Sequence, residues 1–361
     1  MNKKILFLLH LPPPIHGSSV VGKQILDSQL INNKFDCEYI NLSTSSQINQ
    51  IGKYSINKFF TYFKILLKIF KTLLFNKIDK VYLAPTVSKL GLYKDYLVIL
   101  ILKFFKVKKF YHLHNKGVSK RVNNKFLNLL YVSFFKNAKI ILLSERLFSD
   151  VSEFVKREDV FICPNGIKNE IDYTIQKNNE KEIIELLFLS NLLTSKGVIV
   201  LLKACEILLK KDINFICNVV GAEGDVSKEK FNEIVCELKL EKQVFYLGKK
   251  YGLDKKAIFL KSDIFVFPTY NETFGLVNLE AMMHGLPVIS TDEGGIPDVV
   301  INNKTGFIIE KKNSKVLAEK IEILINDAAK RNSMGAAGRK RFEKKFSVKT
   351  FEDRLSVILD K

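Results

Sequence analysis

The sequence predicts an α/β protein built from two doubly wound, Rossmann-like domains, and three observations carry that prediction. Short apolar, β-prone runs alternate with helix-patterned stretches along the chain, as expected of parallel strands joined by covering helices. The alternation runs through twice, and 361 residues at 47% hydrophobic composition suffice for two substantial cores. Between the two sets, CPNGI (163–167) places Pro164 and Gly166 where a strand would otherwise continue. The expected domains are residues 1–165 and 166–345, with 346–361 as a last helix.

In the first set, KILFLLH (4–10) reads as the opening strand. It superficially resembles a signal peptide, but the apolar run is short, lacks a small-residue cleavage site and meets three prolines, so a buried strand is the better reading. PPPIHGSS (12–19) then leads into a helix over VVGKQILDSQLI (20–31). EYINL, KVYLAP (80–85), KFYHLHN (109–115), AKIILLS (138–144) and DVFICPNG (159–166) continue the strands, with helices over 56–75 and 93–110. The second set runs IELLFLS (184–190), a helix over about 197–211, FICNVVG (215–221), a helix around 227–239, VFYLG (244–248), DIFVFP (263–268) and PVIST. SVKTFEDRLSVIL (347–359) is amphipathic and closes the chain as a helix. Five scattered cysteines show no C-x-x-C pair or metal-ligand spacing, and read as reduced, mostly packed residues of a cytosolic protein.

The formal charge of +19 is lopsided. Residues 1–165 hold 26 Lys and Arg against 10 Asp and Glu, whereas residues 166–361 hold 31 against 28. A global lysine bias would not confine the excess to one half. Within that half, the helix over 56–75 places Lys64, Lys68 and Lys71 within about 60° of one another, with Phe and Leu over most of the remainder. The second helix repeats the theme, and its longest uncharged run, between Asp95 and Lys103, is far short of the ~20 residues that span a bilayer. A surface that lies on anionic lipid is expected, so the protein is placed peripherally on the inner face of the cell membrane. No RRM, KH, zinc-finger or helix-turn-helix signature points to nucleic acid.

The most informative stretch is NETFGLVNLEAMMHGLPVIS (271–290). A strand ends at Pro268, Gly285 and Pro287 stop the next helix, and Glu272 and Glu280 therefore flank a loop-to-helix junction. Were both helical, their spacing would separate them by about 12 Å and about 80°. They cannot share one small ligand, but they can bracket an extended one, with the N–H groups of Phe274, Gly275 and Leu276 between them as a phosphate site.

Glu-x7-Glu within E-T-F-G-L-x-x-x-E-A-M-x-x-G-x-P-V-I, followed by GGIPDVV (294–300) and TGFII (305–309), resembles the donor-binding segment of the family 4 retaining glycosyltransferases. The resemblance spans almost the whole chain and implies a GT-B fold, two Rossmann-like domains facing across a cleft, with the last helix crossing back to the first. It implies that Glu280 binds ribose hydroxyls, that Glu272 holds the transferred sugar, and that Gly275 and Leu276 give amides to the diphosphate. FLSNLLTSKGVIVLLKA (188–204) is similar to the family's G-R-L-x-x-x-K-G-x-x-x-L-L-x-A: Lys196 matches the diphosphate-binding Lys, while Ser190 and Asn191 replace Gly and Arg, removing one cation. Gly17 and Ser18 match part of a glycine-rich loop that reaches the diphosphate, its second glycine replaced. His114, with His112 as the alternate, matches the cleft histidine. The turns of VVGAEGD and FYLGKK, with Gly248, match two that border the base.

The implied reaction is hexosyl transfer with retained configuration from a nucleotide sugar, UDP-linked rather than GDP-linked, to a lipid-linked saccharide of bacterial O-antigen, capsule or exopolysaccharide. No cofactor is expected beyond the nucleotide sugar as co-substrate, and no metal, since no two aspartates stand at D-x-D spacing. The alternatives are a GT-B sugar-nucleotide epimerase, which needs no acceptor, and a catalytically silent membrane- or RNA-binding relative.

Overall fold

The computed structural model describes residues 2–13, 17–44, 56–121, 124–169 and 182–361. They form two compact units, Met1–Gly166 joined by Val348–Lys361, and Ile167–Ser347.

The first unit is built on β1 (Lys4–Leu9), β2 (Asp36–Asn41), β3 (Lys80–Leu83), β4 (Lys108–Leu113), β5 (Ala138–Leu142) and β6 (Val160–Ile162). All pair in parallel in the order β2-β1-β3-β4-β5-β6. Helices cover both faces of such a sheet, so its strands are apolar on both sides; Ile5 to Leu9 are all buried. The winding order reverses between β1 and β3, which leaves a crevice beyond the carboxyl ends of these two strands.

The structure divides the helix expected over 20–31 into Gly17–Asp27 and Gln29–Lys34. Ser28 makes the break, since its side chain accepts from the Ile31 amide at 3.3 Å and caps the second helix. The helix expected over 93–110 is Lys89–Phe104, and its lysine-rich end belongs to β4 instead. Gly22 has a packing reason: a Cβ there would lie 2.2 Å from the His10 carbonyl oxygen, so only glycine lets this helix approach the end of β1.

The final helix, Val348–Asp360, packs Phe351, Leu355 and Leu359 into the core of the first unit beside Ile5, Phe7, Val21 and Ile25. Its carboxyl end is gripped by lysines from the sheet's amino edge and from the end of the helix Gln29–Lys34. Lys3 donates to the Asp360 carbonyl and Lys80 to the Leu359 carbonyl, each at 2.6 Å, and Lys34 to the Ser356 carbonyl at 3.3 Å. Cations there satisfy the last carbonyls and complement the helix dipole.

The second unit contains β7 (Ile184–Leu189), β8 (Phe215–Val220), β9 (Val244–Tyr246), β10 (Ile264–Phe267), β11 (Val288–Thr291) and β12 (Gly306–Ile309). Their order, again all parallel, is β12-β11-β10-β7-β8-β9. The switch point lies between β7 and β10, the strands whose following loops carry Lys196 and Glu272. Among the described residues no helix is long and apolar enough to cross a membrane. All five cysteines are free thiols, three of them buried.

Candidate functional site

Two loops leaving the switch point are pressed together. After β7, a short turn at Thr194–Lys196 ends in Gly197 at φ 87°, where a Cβ would stand 2.1 Å from the Pro268 carbonyl oxygen. After β10, Tyr270 N–H donates to the Ser195 carbonyl at 2.9 Å and Thr269 Oγ1 to the same oxygen at 3.1 Å. This contact delivers Lys196 to the acidic loop. Its Nζ donates to the Asn271 carbonyl and to Glu272 Oε2, both at 2.9 Å.

The carboxylate of Glu272 folds back on its own backbone, Oε1 accepting from Thr273 N–H at 2.8 Å and from Phe274 N–H at 3.4 Å. The expectation of three open amides is therefore corrected: Glu272 already engages that of Phe274, and Gly275 and Leu276 follow it at the helix start. Gly275 adopts φ 80°, ψ 66° and precedes the helix Leu276–Met283. The Phe274 ring is buried against Phe346. Behind the loop, a Cβ on Gly294 would stand 2.4 Å from the Glu272 carbonyl oxygen, and Gly295 N–H donates to the Thr273 carbonyl at 2.8 Å. The paired glycines of GGIPDVV thus form the backing of this loop.

Glu280 lies further along the helix and is held by a different lysine. Lys255 Nζ, from the helix Gly252–Lys261, donates to both carboxylate oxygens at 3.0 Å. His284 ends the Glu280 helix, its Nδ1 2.8 Å from the Glu280 carbonyl oxygen and its ring stacked on Phe259 at 4.6 Å. Burial pushes the His284 pKa down to about 4.

Asn191 is exposed, and its Oδ1 accepts from Ala222 N–H at 3.4 Å. Gly221 N–H donates to the Gly248 carbonyl at 3.0 Å, joining the two glycine turns, and Gly248 has φ 67° with open space around it. In the first unit, Gly17 and Ser18 are the first two residues of the helix after β1, inside it rather than in a loop. Ile15 and His16, also part of that expected loop, lie outside the described residues. His112 is fully buried, its Nδ1 2.7 Å from Tyr82 Oη, and burial beside His114 pushes its pKa well below the usual range. His114, just past the end of β4, is half-buried. The two imidazoles lie 4.2 Å apart between centroids.

Residues 168–341 match the family described as glycosyl transferases group 1. This segment belongs to that family. The chain is 31% identical over 240 residues to the capsular polysaccharide biosynthesis glycosyltransferase CapM of Staphylococcus aureus, covering 62% of each protein. It is 36% identical over 220 residues to an uncharacterized glycosyltransferase of Methanocaldococcus jannaschii, covering 59% of this chain and 58% of the relative. Each match thus spans less than two thirds of the curated relative. Among solved structures, Anabaena HepE in complex with UDP superimposes with a TM-score of 0.75 at 17% identity, over 99% of both chains. The fold is therefore that of the GT-B glycosyltransferases, with a Rossmann-like sheet in each unit.

Within this matched segment, Lys255 and Asn278 escape sequence reasoning. Lys255 meets Glu280 across two helices, a pairing that no local spacing encodes. Asn278 is fully buried, and its amide nitrogen and oxygen find no partner among the described residues. An amide among Leu276, Val277 and Leu279 was the available signal, since a polar residue inside an apolar run demands a reason.

Proposed function

We propose that the protein transfers a hexosyl group, with retained anomeric configuration, from a UDP-sugar to a lipid-linked saccharide in bacterial surface polysaccharide synthesis. The observation that carries this reading is the Lys196–Glu272 pair at the sheet's switch point, directly before a helix N-terminus. An ammonium has three N–H donors. Lys196 spends two, on Asn271 and Glu272, which leaves one for a diphosphate oxygen. The first amides of a helix lack intrahelical acceptors, so Gly275 and Leu276 direct further donors at the same anion. As the glycosidic bond breaks, negative charge grows on the departing diphosphate, where such fixed donors contribute most.

Glu272, immobilised by Lys196 and by its own loop, presents its one remaining acceptor direction, on Oε2, to the transferred sugar. Glu280 takes the ribose, with the Gly221 and Gly248 turns beside the base. Asn191 stands at the edge of the diphosphate site, and Gly17 and Ser18, at the N-terminus of the helix after β1, are assigned to the same diphosphate. Of the two histidines, His114 is assigned to the sugar, because His112 is fully buried and bonded to Tyr82. The UDP carried by HepE and the capsule pathway named for CapM support the choice of donor and product class. No divalent ion is required in this reading, and turnover is expected to survive EDTA.

The first unit supplies the membrane surface. Three successive helices expose Phe59, Phe63 and Leu67, then Leu97 and Phe104, then Phe126 and Leu129. They are tied together by Tyr62 Oη donating to the Lys94 carbonyl at 2.6 Å and by Tyr96 Oη lying 2.7 Å from Ser133 Oγ. The lysines at 64, 68 and 71 are exposed on the same helix as the first three. Apolar side chains with lysines exposed on the same helix fit an anionic bilayer, peripherally bound at the inner face.

The test is incubation with a panel of UDP- and GDP-sugars, with and without a lipid-linked saccharide, while released nucleoside diphosphate is measured. Acceptor-dependent release with an α-to-α or β-to-β product supports transfer with retention. Conversion of the nucleotide sugar without acceptor indicates an epimerase, and no reaction with any donor indicates a silent relative.

A further inference from the structure

We infer that Lys255 is a positioning residue for the nucleoside end of the site, setting the Glu280 carboxylate to receive the two hydroxyls of a ribose. The inference rests on the donor reading above, and it adds a residue to which that reading gives no role. Lys255 Nζ is equidistant from the two oxygens of Glu280, at 3.0 Å each. The side chains remain partly accessible, 32% for Lys255 and 21% for Glu280, so a ligand can meet the pair without unfolding anything.

A carboxylate offers about four lone-pair directions, two on each oxygen. Lys255 occupies one on each and leaves one on each. Two remaining acceptors on one fixed plane match two adjacent hydroxyls, which is what a ribose presents. Without the ammonium, the terminal torsion of a glutamate is broad, and a diol would have to freeze it on binding. The helices that carry the pair are also joined by the His284 ring stacked on Phe259, so Lys255 is held at a constant distance from its partner.

The discriminating measurement is the ratio of dissociation constants for 2′-deoxy and ribo forms of the same nucleoside diphosphate. Isothermal titration with UDP, GDP, 2′-deoxy-UDP and 2′-deoxy-GDP provides it for the full chain. For the wild type, loss of one hydroxyl bonded to a charged acceptor should weaken binding by roughly ten-fold or more. In Lys255→Met that ratio should fall to about two, and Lys255→Arg should restore most of it. A purely structural lysine would weaken both forms equally and leave the ratio unchanged. An unchanged ratio in Lys255→Met therefore overturns the inference while the donor reading stands. A wild-type ratio near one, or no nucleotide binding at all, removes the assignment of Glu280 to ribose and Lys255 with it. Lys255→Gln keeps an N–H donor without the charge and should give an intermediate ratio, which guards against a folding defect in the Met variant.

Discussion

Lys196 joins two loops and, in the proposed reaction, the leaving group as well. Lys196→Ala should remove one charge-assisted hydrogen bond to the diphosphate and free the Glu272 carboxylate, whose negative charge then opposes the anion. A loss of roughly 1.5–3 kcal/mol is expected, a ten- to hundred-fold rise in the dissociation constants for nucleoside diphosphate and nucleotide sugar alike. Asn191→Arg should preserve or raise affinity, since it adds a cation at an exposed position whose present hydrogen bond, at 3.4 Å, is long. Titration with the free nucleoside diphosphate checks both. An unchanged constant for Lys196→Ala would mean that backbone amides alone hold the phosphates.

His284 gives this region an acid limit. Its folded pKa of about 4 lies below the ordinary value near 6.5, so the unfolded chain binds a proton that the folded chain refuses. The stability from its neutral ring is complete above about pH 6.5 and is lost as pH falls toward 4. Between pH 7 and 5 this linkage amounts to roughly 2 kcal/mol. His284→Gln, which cannot titrate, should therefore show a smaller drop in melting temperature over that interval than the wild type. Parallel drops would assign the acid sensitivity to other groups.

At the scale of elements, backbone contacts position the site. Gly197 combines φ 87° with a 2.1 Å clearance to the Pro268 carbonyl for any added Cβ, so Gly197→Ala should force the β7 and β10 loops apart. A destabilisation of at least about 2 kcal/mol is expected, together with loss of nucleotide binding, because Lys196 would leave Glu272. Asn278→Leu should act in the opposite sense. Leucine has the heavy-atom skeleton of asparagine and removes two buried polar atoms that have no partner among the described residues, so thermal unfolding should shift upward by the equivalent of about 1–3 kcal/mol. A lower melting temperature would show that the amide is satisfied.

Much of this was legible in the sequence where type and spacing carry the information. Both sheets, the Glu272 and Glu280 spacing, Gly275 and the Lys196 turn follow from strand-like runs and from the residues that end them. What escaped depends on tertiary contact. Ser28 splits a continuous helical pattern because its hydroxyl competes for a backbone amide. The helices Lys125–Phe135 and Gly252–Lys261 went unassigned, the latter with mixed Lys and Phe and little periodicity. The Phe274 amide could not be foreseen as occupied, because its acceptor is the side chain two residues before it.

At the scale of the whole molecule, the excess positive charge belongs to the first unit's residues, and one helix there exposes Phe59, Phe63 and Leu67 together with Lys64, Lys68 and Lys71. Such a surface is costly to leave in water, and its lysines would repel one another unless an anionic partner covers it. In the proposed reading an anionic bilayer meets both needs, with lysines at the headgroups and Phe and Leu in the interface. Wild-type protein should co-sediment with anionic vesicles at low salt and less as screening shortens from about 10 Å toward 3 Å. Replacing Lys64, Lys68 and Lys71 by Gln should weaken that binding by at most about 3 kcal/mol and leave nucleotide affinity intact. Replacing Phe126 and Leu129 by Ser should instead remove the part that survives high salt, since apolar burial is not screened. Recovery of the wild-type protein in the supernatant with both anionic and neutral vesicles would transfer the basic face to a soluble partner, and with it the choice of a lipid-linked acceptor.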